Sequence, residues 1–289
     1  MKFRMSFLTS SVLLGLVSFI FGPPTFAQAP VAVPTVNAGL VVDAAGPRQR
    51  KSLSAIYLIV CPNVDSGTGF LLDTGFIVTN VHVVATCTEK TLVGISTANK
   101  PVRFSQIISD ANRDLALLIP TEKLTNGLKL AAKDNPLPGT TVSTWGYPFL
   151  YNGISPLLSV GYVSGYRNDA SSGKSVKHIL VNGAFNHGNS GGPLLISHDN
   201  EVIGVVVLTY NFYQPEVKQI IEALSKQGSG FMLGSITRAD GSKQTLSEAQ
   251  VTAMVLDEFY QKTQVMIGEA IAGSELAAMI KEHSAELPK

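Results

Sequence analysis

Charge is scarce in this 289-residue chain. Asp, Glu, Lys and Arg make up 15% of it, and the two signs cancel to +1. No basic patch argues for a nucleic-acid partner, whose phosphates call for clustered cations. Cysteine is scarcer still: Cys61 and Cys87 are the whole complement, and neither shows a Cys–His pairing of the catalytic kind. His178, His198 and His283 lack metal-ligand spacing, so no metal site is expected. What remains is 45% hydrophobic, the composition of a β-rich globular protein with enough apolar residues for a full core, in one large or two small domains.

The apolar run from Phe7 to Phe21 follows Lys2 and Arg4 and is followed by Gly22-Pro23-Pro24. It stops short of the ~20 residues that a membrane-spanning helix needs. Small residues at Thr25-Phe26-Ala27 offer a cleavage site, and Pro30 disfavours a cut after Ala29. Residues 1–27 therefore read as a secretory signal peptide, with a retained membrane anchor as the alternative. No cysteine follows the run, which argues against a lipidated start. Export implies a secreted or periplasmic protein with no membrane span once the signal is removed, and it permits a disulfide.

The most informative stretch is Asn186-His187-Gly188-Asn189-Ser190-Gly191-Gly192-Pro193-Leu194-Leu195. A serine between Gly-Asn and Gly-Gly-Pro, with an apolar run behind it, suits a presented hydroxyl. Glycine at 188 frees the backbone to turn its N–H inward. The N–H groups of Gly188 and Ser190 can then converge on the oxyanion of an acyl-transfer intermediate. The bland alternative is a glycine-rich turn before a buried strand. A serine nucleophile needs a base, and the base needs an orienting group. Upstream, Gly75-Phe76-Ile77-Val78-Thr79-Asn80-Val81-His82 reads as a strand ending in histidine, and Asp114 opens the apolar strand Leu115 to Leu118. The order His82, Asp114, Ser190 differs from the orders of α/β-hydrolases and subtilisin and matches that of chymotrypsin-like peptidases.

With these blocks in place, the chain resembles the trypsin-like serine peptidases, and among them the HtrA/DegP type of protease domain. Ser66-Gly67-Thr68-Gly69-Phe70, Thr79-Asn80-Val81-His82-Val83-Val84, Arg113-Asp114-Leu115-Ala116, Trp145-Gly146-Tyr147-Pro148 and Ser159-Val160-Gly161-Tyr162 carry the resemblance, together with the serine block. They run in order over roughly residues 50 to 225. The resemblance implies an all-β fold of two six-stranded antiparallel barrels, with His82 and Asp114 on the first and Ser190 on the second. It implies that Cys61 and Cys87 can meet in a disulfide bracing the histidine loop, with free thiols as the alternative. It places the floor of the primary pocket near Ala184, the pocket strand near Val207, Leu208 and Thr209, and His187 beside the oxyanion glycine. With no acid at the floor, a small or medium apolar side chain is expected there. Asn189 stands where digestive relatives carry an aspartate, so activation by an ion pair to a new N-terminus is not expected. No cofactor is needed.

Residues 28–50, with Pro30, Pro34 and Pro47, read as an N-terminal extension. Arg48-Gln49-Arg50-Lys51 reads as a processing site or the solvated lip of the first strand. Short apolar runs separated by Gly, Pro, Asn and Asp place eleven strands at 54–60, 67–72, 75–79, 91–96, 102–109, 115–119, 141–146, 156–164, 176–183, 193–197 and 201–209. Arg167 to Lys174 reads as a polar hairpin tip. A helix over Gln214–Lys226 is expected to close the peptidase domain, giving it the bounds 51–227. Residues 228–289 then form a helical C-terminal extension. It has a short strand at Phe231–Ile236, a capping box at Thr245-Leu246-Ser247-Glu248, an amphipathic helix carrying Val251 to Val265, and a second helix from Ser274 to His283. The pattern shows no PDZ domain, and the tail's apolar face packs on its own barrels or docks a protein partner.

The expected activity is that of a secreted or periplasmic serine endopeptidase cleaving polypeptides, unfolded or damaged envelope proteins above all. A non-cleaving chaperone or scaffold on the same fold is one alternative, and a dedicated processing peptidase with one partner is another.

Overall fold

The computed structural model describes residues 45–61, 66–148, 155–170, 173–185, 188–196, 200–207, 215–237, 241–262 and 267–287. The expected signal peptide, most of the extension after it, His187, Leu208, Thr209 and Val265 lie outside these residues.

The chain enters the fold on helix α1 (Pro47–Ser54), with proline in its first turn, where a missing N–H costs nothing. The basic run 48–51 is therefore helical rather than the lip of a strand. Seven strands follow in one antiparallel barrel-like sheet: β1 (Ile56–Val60), β2 (Gly67–Leu71), β3 (Ile77–Thr79), β4 (Val93–Ser96), β5 (Pro101–Val102), β6 (Phe104–Asp110) and β7 (Leu115–Pro120), in the order β5-β4-β1-β2-β3-β7-β6. The expected strand 102–109 is broken at Arg103 into β5 and β6. The β-branched run ends earlier than expected. After Asn80 the chain turns into a one-turn helix, α2 (Val81–Val84), and His82 sits on it.

The second unit is a closed six-stranded barrel ordered β10-β15-β12-β11-β8-β9. It comprises β8 (Thr141–Gly146), β9 (Leu157–Asp169), β10 (Val176–Asn182), β11 (Pro193–Ile196), β12 (Val202–Val207) and β15 (Ile267–Ala272). The first three residues of the expected polar tip at 167–174 belong to β9, which runs on to Asp169. Parallel bridges Leu72–Leu128 and Leu130–Val202 fix the connecting segment to both barrels. Phe70, Leu71, Ile77, Leu115 and Leu117 fill the first unit, and Val142, Val163, Ile179, Leu194 and Ala270 the interior of the second.

The sixth strand of the second barrel corrects the expected boundary at 227. β15 lies between β10 and β12, pairing His178 with Ile271 on one side and Val207 with Glu269 on the other. The helix that covers this barrel is α5 (Gly273–Glu282), packed on β10, β12 and β15 with Leu276 and Met279 fully buried. The stretch from 228 is therefore not simply a helical extension, and the two-barrel fold runs on through residue 282. Helix α3 (Pro215–Lys226), expected to close the domain, packs instead against α4 (Glu248–Lys262). Together with the hairpin β13 (Met232–Thr237) and β14 (Lys243–Ser247), these helices make a unit spliced between β12 and β15. The capping box forms two residues later than expected, because Thr245 lies inside β14: Ser247 Oγ accepts the Gln250 N–H at 3.3 Å, and Gln250 Oε1 accepts the Ser247 N–H at 3.0 Å. Among the described residues no helix is long and apolar enough to cross a membrane.

Candidate active site

Asp114 sits in the turn between β6 and β7 with a φ of +53°, a conformation that few residues other than glycine adopt without support. The support is local. Its carbonyl accepts the Asn80 side-chain amide at 2.9 Å and the Val81 N–H at 3.3 Å. Its carboxylate takes two bonds from one residue: Oδ1 accepts the backbone N–H of His82 at 3.0 Å, and Oδ2 lies 2.7 Å from His82 Nδ1. A carboxylate on Nδ1 fixes the ring so that Nε2 faces away from it, the orientation a general base requires. The disulfide Cys61–Cys87, with Cα atoms 5.8 Å apart, ties the end of β1 to the turn just after this helix.

The serine loop docks from the other barrel onto β2. Ser190 carbonyl accepts the Thr68 N–H at 2.9 Å, and the Thr68 hydroxyl donates to the Gly188 carbonyl at 2.6 Å while accepting the Tyr147 N–H at 3.1 Å. Thr79, just before the histidine turn, donates its hydroxyl to the Thr68 carbonyl at 2.7 Å. One buried residue of the first barrel thus connects the histidine turn to the serine loop. Gly191, at φ +84°, is obligatory here: a Cβ would lie 2.1 Å from the Thr68 carbonyl oxygen. Behind it, Gly191 N–H bonds the Val206 carbonyl and Val206 N–H bonds the Gly192 carbonyl, both at 2.8 Å, so the loop hangs on β12. Gly188 has φ +93°. Among the described residues no hydrogen bond engages the N–H of Gly188 or Ser190, and none joins the Ser190 hydroxyl to His82. Ser190 is 5% exposed.

Of the expected pocket, Ala184 and Val207 fall within the described residues, Ala184 half-buried and Val207 at the end of β12, paired with Glu269. Sequence reasoning missed Phe185, whose ring lies against the bare Cα of Gly268 on β15: a Cβ there would stand 2.3 Å from the ring. It also missed Glu269. Buried between β10 and β12, this carboxylate lies 2.6 Å from His178 Nδ1 and accepts Arg167 Nε at 2.5 Å. Burial pushes its pKa up, but the bonds from His178 and Arg167 outweigh that and hold it below the ordinary carboxylate value. Burial alone pushes the Tyr147 phenol well above its usual value. Among the described residues no group of three or more His, Cys, Asp or Glu side chains is placed to hold a metal ion.

Residues 67–205 match the family model of the trypsin-like peptidase domain. The chain carries a trypsin-like peptidase domain. The domain's relatives include the chloroplastic Protease Do-like 1 of Arabidopsis thaliana, 32% identical over 155 residues that make up 50% of this chain and 34% of the relative. They also include a protein of Pseudomonas fulva named "Probable periplasmic serine endoprotease DegP-like", 34% identical over 140 residues, 48% of this chain and 28% of the relative. The chain spans about a third of the length of these curated relatives. The fold is also that of the Rv3671c protease of M. tuberculosis in its active form, with a TM-score of 0.55 at 18% identity over 83% of this chain and 85% of the other. The match to that structure speaks for the fold alone.

Proposed function

We propose that the peptidase domain is a serine endopeptidase with His82, Asp114 and Ser190 as its triad and no cofactor. The observation that carries this reading is the two-point grip of Asp114 on His82, backbone N–H and Nδ1 together, in a turn bonded through Thr79 and Thr68 to the serine loop. Ser190 Oγ attacks a peptide carbonyl while His82 Nε2 takes its proton. The same proton goes to the departing amine, leaving an ester on Ser190. Water then attacks that ester with His82 again as base, releasing the new carboxylate and restoring the hydroxyl. Asp114 holds the ring in its productive tautomer and stabilises the imidazolium. The N–H groups of Gly188 and Ser190 receive the oxyanion. The bond from Ser190 to His82 forms on substrate binding, since such contacts are often loose in free enzymes.

The primary pocket takes a small or medium apolar side chain. Ala184, Phe185 and Val207 offer no charge to a basic one, and the ring of Phe185 takes up room beside Gly268. The relatives' names, periplasmic in one case and chloroplastic in the other, agree with a protein that works outside the cytoplasm, secreted or periplasmic, on unfolded or damaged proteins of that compartment.

Cleavage of unfolded casein by the mature chain, beside Ser190→Ala, tests the reading. The substitution is expected to lower kcat by on the order of 10⁶, with cuts after small apolar residues in the wild type. Equal cleavage by both proteins would refute it, as would failure of a fluorophosphonate to label Ser190 together with no cleavage by either.

A further inference from the structure

One residue before Asp114, the chain buries a cation. Arg113 is 3% exposed, and its partners come largely from the far end of the sequence. Nη1 and Nη2 donate to the two oxygens of Glu282 at 2.8 and 2.7 Å, a fork-on-fork pairing, and Nε donates to Glu275 at 3.1 Å. Nη1 also bonds Asp110 at the end of β6. Both glutamates stand on α5, and that helix is tied to the second barrel. Glu275 accepts the Lys177 N–H of β10 at 3.1 Å with its other oxygen. The Ser274 N–H donates to Asp134 at 2.8 Å, and Asp134 accepts Lys177 Nζ at 2.9 Å. Lys174 Nζ lies 3.6 Å from Glu282 on the outer side. Helix α5 therefore grips the aspartate turn of the first barrel while standing on the barrel that carries the serine.

Stability does not account for this arrangement. Ion pairs on a buried guanidinium are roughly neutral against apolar residues of equal volume, because desolvation offsets attraction, and the half-exposed Glu282 adds only modestly. What such a cluster does supply is a fixed position, and the residue needing one is adjacent: Asp114, whose left-handed backbone persists only where its surroundings dictate it. We infer that Arg113, clamped by Glu275 and Glu282, is a positioning residue that seats the Asp114 carboxylate on His82 and sets the His–Asp pair relative to the serine-bearing barrel. The inference rests on the triad reading above. Arg113 itself touches no reacting atom. Its guanidinium fixes the turn from one side, and the next residue presents its carboxylate on the other.

The test uses the full mature chain with Glu275→Gln, Glu282→Gln and the double variant. These keep side-chain volume and leave Arg113 a neutral partner, whereas Arg113→Gln would leave three carboxylates crowded without their cation. The double variant is expected to fold, melt cooperatively and lose about 10–100-fold in kcat on a peptide substrate, the scale of a small misplacement of catalytic groups, with KM little changed. Two further readouts separate positioning from mere structure. The acidic limb of kcat/KM against pH moves to lower pH, because a less well seated carboxylate stabilises imidazolium less. The low-field proton resonance of His82 Nδ1–H weakens or shifts upfield. A folded double variant with wild-type kcat, pH limb and resonance overturns the inference, and so does a loss confined to KM. Should the wild type neither cleave nor take up a fluorophosphonate, the peptidase reading fails instead. The resonance then still decides the clamp: kept in the folded double variant, it refutes positioning, and lost, it supports it.

Discussion

Two stretches of the C-terminal third look alike as sequence and behave oppositely in the fold. Helix α4 in the spliced unit and helix α5 after it are both amphipathic, yet Phe259 of α4 is 64% exposed while Leu276 of α5 is fully buried. The spliced unit holds itself together: Ser247 Oγ donates to the Gln227 carbonyl at 2.6 Å and the Glu248 N–H to that of Phe231 at 2.8 Å. The segment 267–282 supplies a barrel strand, a buried helix face and the ion cluster on the aspartate turn. An apolar stripe thus says that a helix packs, not what it packs on. Position in the sheet order separates the stretch that builds the peptidase fold from the one added to it.

Truncation sharpens that contrast most. A chain ending at residue 266 loses β15 and exposes the edges of β10 and β12, and it is expected to yield no cooperative thermal transition and to aggregate. Excising 208–266 and joining Val207 to Ile267 by a short Asn-Gly hairpin turn is expected to retain cooperative unfolding, since these strands are antiparallel neighbours with Val207 opposite Glu269. Calorimetry on both chains checks this, and a folded truncation beside an unfolded excision would reverse the comparison.

Point substitutions come next. Leu276→Ala empties a fully buried site on α5 and is expected to cost about 2–5 kcal/mol. Phe259→Ala removes an exposed ring and is expected to stay within about 0.5 kcal/mol. Chemical denaturation of both variants measures the difference.

The smallest effect is that of pH. Bonding to Arg113, above all, lowers the Glu282 carboxyl from 4.5 to about 2. A depressed carboxylate stabilises the fold above its unfolded value and ceases to do so as the pH falls through its folded one. Melting temperature should therefore decline between about pH 4.5 and 2. Glu282→Gln should make that decline shallower by a modest margin, because the side chain is half exposed. An equal slope in both proteins would remove Glu282 from the acid response.

How far the sequence reveals all this depends on the residue. Thr141–Gly146 forms a strand with the expected bounds, and the blocks around His82 and Asp114 fold into turns that meet. The Val, Ile and Thr around His82 favour a strand and point to a strand end there; Asn80 ends the ladder and lets one helical turn follow. Strand β15 was invisible for the opposite reason. Ile-Gly-Glu-Ala-Ile-Ala has glycine, alanine and a carboxylate where strands favour branched and aromatic side chains. Glu269 is buried only because His178 and Arg167 meet it across the sheet. The clamp is less legible still, since Arg113 and Glu282 stand 169 residues apart. A lone arginine before an aspartate gives no sign of its partners.

The late arrival of β15 also orders events during synthesis. All seven strands of the first sheet are present once residue 120 has been made, whereas the second barrel waits for residue 272 with a gap between β10 and β12. Until then two strand edges stand open to wrong pairing, and the strand on which the serine loop hangs lacks a neighbour. A growing chain is therefore exposed to aggregation until β15 arrives, and the order in which the strands are made leaves the serine loop without its full support until then.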